Sequence, residues 1–133
     1  MSRGSRRATC RCGQLVVECR GEPLRISVCH CLDCQRRSGS AFAAQARFPE
    51  DAVTITGGAR TWRAVGDSGQ GADFSFCDTC GATLFYRNEA LPGQVAVAIG
   101  AFADPGFPAP AFSVYENRKH GWVEITGADV EHD

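Results

Sequence analysis

The chain's reactive chemistry is most concentrated at Cys29-His30-Cys31-Leu32-Asp33-Cys34, where three thiols fall within six residues. Two further pairs flank it, Cys10-Arg11-Cys12-Gly13 before and Cys77-Asp78-Thr79-Cys80-Gly81 well after, and Cys19 stands alone. In an extended chain residues i and i+2 point to the same side, so Cys10 and Cys12 can offer two sulfurs to one metal. Cys77 and Cys80 fit a C-x-x-C-G turn, in which Gly81 supplies the positive φ, and Gly13 can serve the same end after Cys12. Together the two pairs read as a closed four-sulfur zinc site. Such a site ties distant strands together and turns metal-binding free energy into folding free energy, but it leaves no position open for chemistry.

The trio has a different character. Cys29 and Cys31 point to one side of a strand end and His30 to the other, while Cys34 comes round on the next turn to complete a three-sulfur face. Three protein ligands and one exchangeable position is the form of a catalytic zinc site, where a small thiol can bind and lose its proton. Three alternatives stand beside this reading. A distant His120 or His132 closes the site as a structural one, Cys31 and Cys34 act as a redox dithiol, or the metals are partitioned differently among the cysteines. Arg36 and Arg37 follow at once and can offset the thiolate charge or hold a substrate carboxylate, although either can equally be a solvated helix residue. His30 can face substrate or protein, and Ser38 and Ser40 can donate to a ligand or simply cap a turn. Cys19, Phe42, Phe48, Phe74, Phe76, Phe85, Trp62 and Trp122 read as packing residues.

Elements must position these groups. A chain of 133 residues is one domain's worth. Short segments rich in Val, Ile, Thr and Phe predict strands at Leu15–Cys19, Leu24–Cys29, Ala41–Phe48, Val53–Thr56, Thr61–Val65, Asp73–Phe76, Thr83–Tyr86, Val95–Ile99, Ser113–Tyr115 and Val123–Thr126. Turns follow at Arg20-Gly21-Glu22-Pro23, Thr56-Gly57-Gly58, Gly66-Asp67-Ser68-Gly69 and Leu91-Pro92-Gly93. One short helix is expected at Leu32–Ser38, ending against Gly39, and Asp104–Pro110 is an irregular loop over the sheet. The pattern is all-β. Residues 1–8, with Arg3, Arg6 and Arg7, read as a disordered basic tail, 9–127 as the zinc domain, and 128–133 as a frayed acidic end.

The net charge of −1 offers no broad positive field, which argues against nucleic acid as a partner. The longest mostly apolar run, Val95 to Ala103, is too short to cross a membrane, and the basic N-terminus has no apolar segment behind it. Eight cysteines at metal-type spacings, without a secretory signal, point to a reduced, cytoplasmic protein.

The ordered set Cys10-x-Cys12-Gly13, Cys29-His30-Cys31-x-x-Cys34-Gln35-Arg36-Arg37-Ser38-Gly39 and Phe76-Cys77-x-x-Cys80-Gly81 resembles the glutathione-dependent formaldehyde-activating family, whose domain is shared with centromere protein V. The resemblance runs from about Thr9 to Thr126 and includes a closing stretch, Val114 to Trp122. It implies a Mss4-like (β-tent) fold of short antiparallel strands and two zinc ions per chain. By position, Cys10, Cys12, Cys77 and Cys80 match the family's structural ligands, and Cys29, Cys31 and Cys34 its catalytic ones. The implied activity is that of a carbon–sulfur lyase adding a glutathione-like thiol to a formaldehyde-like aldehyde, with both as small-molecule partners. This chain departs from the pattern in having His30 where the founding enzymes have Gly, Ser113 where the family often has His, and Gly121 where it often has Pro. A zinc-stapled binding module without turnover and a thiol redox sensor built on the trio are the rival readings.

Overall fold

A computed structural model describes residues 4–66 and 68–133; Arg3 of the basic stretch and Asp67 of its turn lie outside the described residues. In chain order the strands are β1 (Ser5–Thr9), β2 (Val16–Arg20), β3 (Arg25–Cys29), β4 (Ala43–Pro49), β5 (Val53–Thr56), β6 (Ala59–Val65), β7 (Gly71–Cys77), β8 (Thr83–Asn88), β9 (Gln94–Ala98), β10 (Phe112–Val114) and β11 (Glu131–His132), with helix α1 (Leu32–Ser38) between β3 and β4. They form a three-stranded sheet, β1-β2-β5, and an eight-stranded sheet, β11-β10-β3-β4-β9-β8-β7-β6. Pairing is antiparallel except where β10 runs parallel to both β3 and β11.

The core lies where alternating apolar side chains of the two sheets meet. Ala8, Val17 and Cys19 from the small sheet join Ala46, Phe48, Leu84, Phe85, Val95 and Val97 from the large one. Burial of an aromatic ring such as Phe48, which has no exposed surface, is worth roughly 2–3 kcal/mol. Phe107 from the 104–110 loop stacks on Phe102 at 4.8 Å, and Phe102 packs on Phe48 at 6.3 Å, so the loop does lie over the sheet.

Three expectations change here. The stretch from Ser5 to Ala8 is no tail: it belongs to β1, pairs along β2 and buries Ala8 completely. The acidic end is held too, by Glu131 N–H donating to Ala111 O at 2.9 Å and Asp133 N–H to Ser113 O at 2.9 Å. Val123–Thr126 forms no strand; Val123 is buried, but its N–H goes back to His120 O and its carbonyl accepts from Lys119 Nζ, leaving the backbone bonded locally. No helix among the described residues is long and apolar enough to cross a membrane.

Candidate functional site

All eight cysteines are unpaired, and seven gather into two clusters, each with its Sγ atoms within 4.8 Å of one another. The first joins Cys10 and Cys12, after β1, to Cys77 and Cys80, at the end of β7. Cys10 and Cys12 Sγ are 3.6 Å apart, and Cys12 and Cys77 Sγ 3.7 Å. Gly13 (φ +90°) and Gly81 (φ +84°) make the left-handed turns that fold each pair back on itself. Leu15 N–H points at Cys10 Sγ at 3.3 Å, and Thr79 and Cys80 N–H at Cys77 Sγ, both at 3.3 Å. Gln14 adds its side-chain amide, Nε2 donating to Cys77 Sγ at 2.9 Å while its Oε1 accepts from Gly58 N–H at 2.8 Å. Burial opposes ionisation of Cys77, but these donors outweigh it and hold the thiol at about 6. Cys77 Sγ, ringed by N–H donors, is thus set up as a thiolate acceptor, which is the chemistry a tetrahedral zinc site requires.

The second cluster is local. Cys29 closes β3, Cys31 is the N-cap of α1 with its Sγ accepting from Cys34 N–H at 3.3 Å, and Cys34 lies in the first helical turn. Helical i, i+3 spacing thus sets Cys31 and Cys34 side by side against the strand end. Gly39 closes α1 in the left-handed conformation (φ +69°), and Arg36 and Arg37 in the last turn suit the helix dipole. A hydrogen bond from Cys29, helped by the Arg37 guanidinium, holds Cys34 down at about 6, and the same bond pushes Cys29 far up. Among the described residues no fourth His, Cys, Asp or Glu joins the trio. His120 is hydrogen-bonded to Gln35 Oε1 and His132 to Glu116 Oε2, at 2.9 and 2.6 Å. Three sulfurs with a side free of protein ligands fit an open metal site.

The candidate neighbours separate clearly. Arg37 Nη2 is 3.9 Å from Cys34 Sγ, and its guanidinium lies over the rings of Phe74 and Tyr86, 4.7 and 5.2 Å from their centroids. Arg36 points to solvent, 3.7 Å from an almost fully exposed Asp33. His30, a candidate for substrate contact, is fully buried. Its Nε2 meets Ser113 Oγ at 2.9 Å, its Nδ1 has no hydrogen-bond partner among the described residues, and burial pushes its pKa down. The side opposite the sulfurs is the protein interior, and His30 is turned into it. Ser38 bonds Gln35 O and Phe42 O, and Ser40 N–H bonds Ser38 Oγ, so both serve the turn after α1.

Cys31 and Cys34 of the trio line a groove of about 830 Å³ together with Arg37, Trp62, Phe74 and Tyr115. Trp62, expected as packing, is 60% exposed there, and Trp122 is exposed as well. β6 is an edge strand, and a Trp flanked by Arg60, Thr61 and Arg63 carries no apolar alternation that would have turned it inward. Tyr115, at the groove margin, holds φ +58°, a conformation costly for a non-glycine residue.

A family model described as "Glutathione-dependent formaldehyde-activating enzyme" matches residues 5–118. No curated protein matches the chain. Among solved structures, a Rhodobacter sphaeroides protein is similar in fold, with a TM-score of 0.57, 23% identity and coverage of 77% of this chain and 90% of that one.

Proposed function

From the premise that this chain belongs to the glutathione-dependent formaldehyde-activating enzyme family, we propose that it is a zinc-dependent carbon–sulfur lyase-type enzyme, joining a small thiol to an aldehyde or cleaving the adduct. One observation carries the reading: three cysteine sulfurs converge with no fourth His, Cys, Asp or Glu among the described residues, and two of them, Cys31 and Cys34, line an open groove. We assign Cys10, Cys12, Cys77 and Cys80 to a structural zinc, and Cys29, Cys31 and Cys34 to a catalytic one, in a domain running from β1 to β11. Unpaired thiols in this number belong to a reducing compartment, which makes the cytoplasm the expected setting. Zinc at the trio would supply a position that lowers the pKa of a thiol and polarises a carbonyl.

The chain's own groups do the rest. Cys31 is held as an acceptor by Cys34 N–H, so the sulfur face is fixed before substrate arrives. Arg37, pinned by the two rings beneath it, presents N–H groups beside Cys34, where negative charge on the aldehyde oxygen or a substrate carboxylate would be met. In the addition, the thiol sulfur forms a bond to the carbonyl carbon, the C=O π pair moves to oxygen, and the thiol's proton ends on that oxygen, with no oxidant or reductant consumed. The test is stopped-flow carbonyl absorbance on zinc-loaded protein with a panel of thiols and aldehydes. Acceleration over the uncatalysed approach to equilibrium, lost in Cys31→Ser, is expected; a wild type that accelerates no pair refutes the reading.

A further inference from the structure

Strands β6, β7 and β8 carry three aromatic residues in register, Trp62 opposite Phe74 and Phe74 opposite Tyr86. Their rings form one continuous ladder, with centroids 6.3 Å apart from Trp62 to Phe74 and 4.7 Å from Phe74 to Tyr86. The ladder is unevenly covered. Arg37 and Arg47 lie over the Tyr86 end and Arg37 over Phe74, while Trp62 keeps 60% of its surface open. The covered end is also the reactive end, because the same Arg37 reaches to within 3.9 Å of Cys34 Sγ. An apolar strip therefore leads from beside Cys34 outward along the groove to Trp62.

Arg63 is held by Asp73 at 2.9 Å and by Glu89, while Arg36 stands out in solvent 3.7 Å from Asp33. Among the described residues, Arg37 has no carboxylate partner, and it is the cation next to the sulfurs. A ligand can thus be met by one positive group near the reacting atoms and by flat apolar surface further out. A one-carbon aldehyde would leave that surface bare, and a second carboxylate carried out along the strip would find Arg63 already paired.

We propose that the Trp62–Phe74 strip is a specificity surface for the aldehyde-derived part of the substrate, so that the site takes adducts of aromatic or similarly flat apolar aldehydes in preference to one-carbon ones. The inference deepens the lyase reading and rests on it for the position of the reacting carbon, but the strip can be tested by binding alone. S-benzylcysteine and S-methylcysteine are inert thioether probes of equal charge that differ by one phenyl ring. Calorimetry on zinc-loaded protein should show the benzyl probe binding at least tenfold tighter, a ratio equivalent to about 1.4 kcal/mol. Trp62→Ala should collapse that ratio, whereas Trp122→Ala, which removes an exposed tryptophan outside the groove, should keep it. In parallel, kcat/KM for benzaldehyde should exceed that for formaldehyde with the same thiol.

Equal binding of the two probes by wild type, or a benzyl preference untouched by Trp62→Ala, overturns the proposal. So does a wild-type dimer that dissociates on Trp62→Ala while binding the probes equally, since the strip would then be a contact between two copies of this chain. A benzyl preference that depends on Trp62, in a protein that accelerates no aldehyde, upholds the strip and refutes the lyase reading. Acceleration with formaldehyde preferred does the reverse.

Discussion

Replacing Cys77 by Ser should cost far more stability than replacing Cys31 by Ser, because the two clusters close very different lengths of chain. Cys12 and Cys77 Sγ are 3.7 Å apart across 65 positions of sequence, whereas Cys29 to Cys34 spans six residues. Treated as cross-links of the unfolded chain, a 65-residue link is worth about 4 kcal/mol and a six-residue one about 2 kcal/mol. The distal cluster also anchors more of the fold. Gln14 bonds Cys77 Sγ, Gly58 O and Asp78 Oδ1, so losing Cys77 frees three segments at once. Cys31 instead caps a seven-residue helix that contributes no fully buried residue. For a domain of this size, 4 kcal/mol corresponds to a fall in Tm on the order of 15 °C, and 2 kcal/mol to about half that. The assay is thermal unfolding followed by circular dichroism on both zinc-loaded variants, with zinc per chain measured alongside. Expected values are close to two zincs in wild type and one in each variant, with Cys77→Ser melting well below Cys31→Ser. Equal melting points, or a less stable Cys31→Ser, would refute the division between a stapling cluster and a working one.

Gly57→Ala should destabilise by about 3 kcal/mol or more, since φ is +106° and an ideal Cβ would lie 2.1 Å from the backbone O of Gln14. Gly13→Ala, at φ +90° but facing open space, should cost only about 1 kcal/mol in the same urea titrations; similar losses would show that strain and not the clash decides. Glu50 is held below its ordinary range, foremost by hydrogen bonds from Arg87, so its contribution is present above the ordinary carboxylate pKa and fades as pH falls through the folded-state value. Both partners are nearly half exposed, so Glu50→Gln should lower stability by less than about 1 kcal/mol at pH 7, and a gap that widens towards acid pH would refute the pairing.

What was legible in the sequence is what local geometry decides. Helix α1 runs over Leu32–Ser38 as expected because an N-capping Cys31 and a left-handed Gly39 frame it within the segment itself. Likewise β5 lies at Val53–Thr56, bounded by a turn whose glycine must have positive φ. The pairs Cys10/Cys12 and Cys77/Cys80 come together as their spacing implied. The chain's ends depart from the expectation because their order depends on distant partners: β1 is held by β2, and β11 by β10. Alternation put His30 on the face opposite the sulfurs, but whether that face is interior depends on β10 lying alongside β3 and placing Ser113 there. Two of the departures from the family pattern, His30 and Ser113, thus meet in one hydrogen bond, an arrangement no spacing within either segment announces.

Strand β7 connects the two jobs of the molecule. It ends in Cys77, fixed by the distal cluster, and three residues earlier carries Phe74, the middle ring of the ladder beneath Arg37. Between them the β7–β8 register shifts at Ser75/Phe76, the kind of irregularity that lets one strand serve two differently aimed side chains. The stapling cluster is then more than ballast. Cys77 and Phe74 share β7, so the four-cysteine cluster and the aromatic ladder beneath Arg37 stand on one strand. The trio itself is short-range and contributes little to holding the sheets together, so under the function proposed above a position left open there for chemistry would cost the fold little.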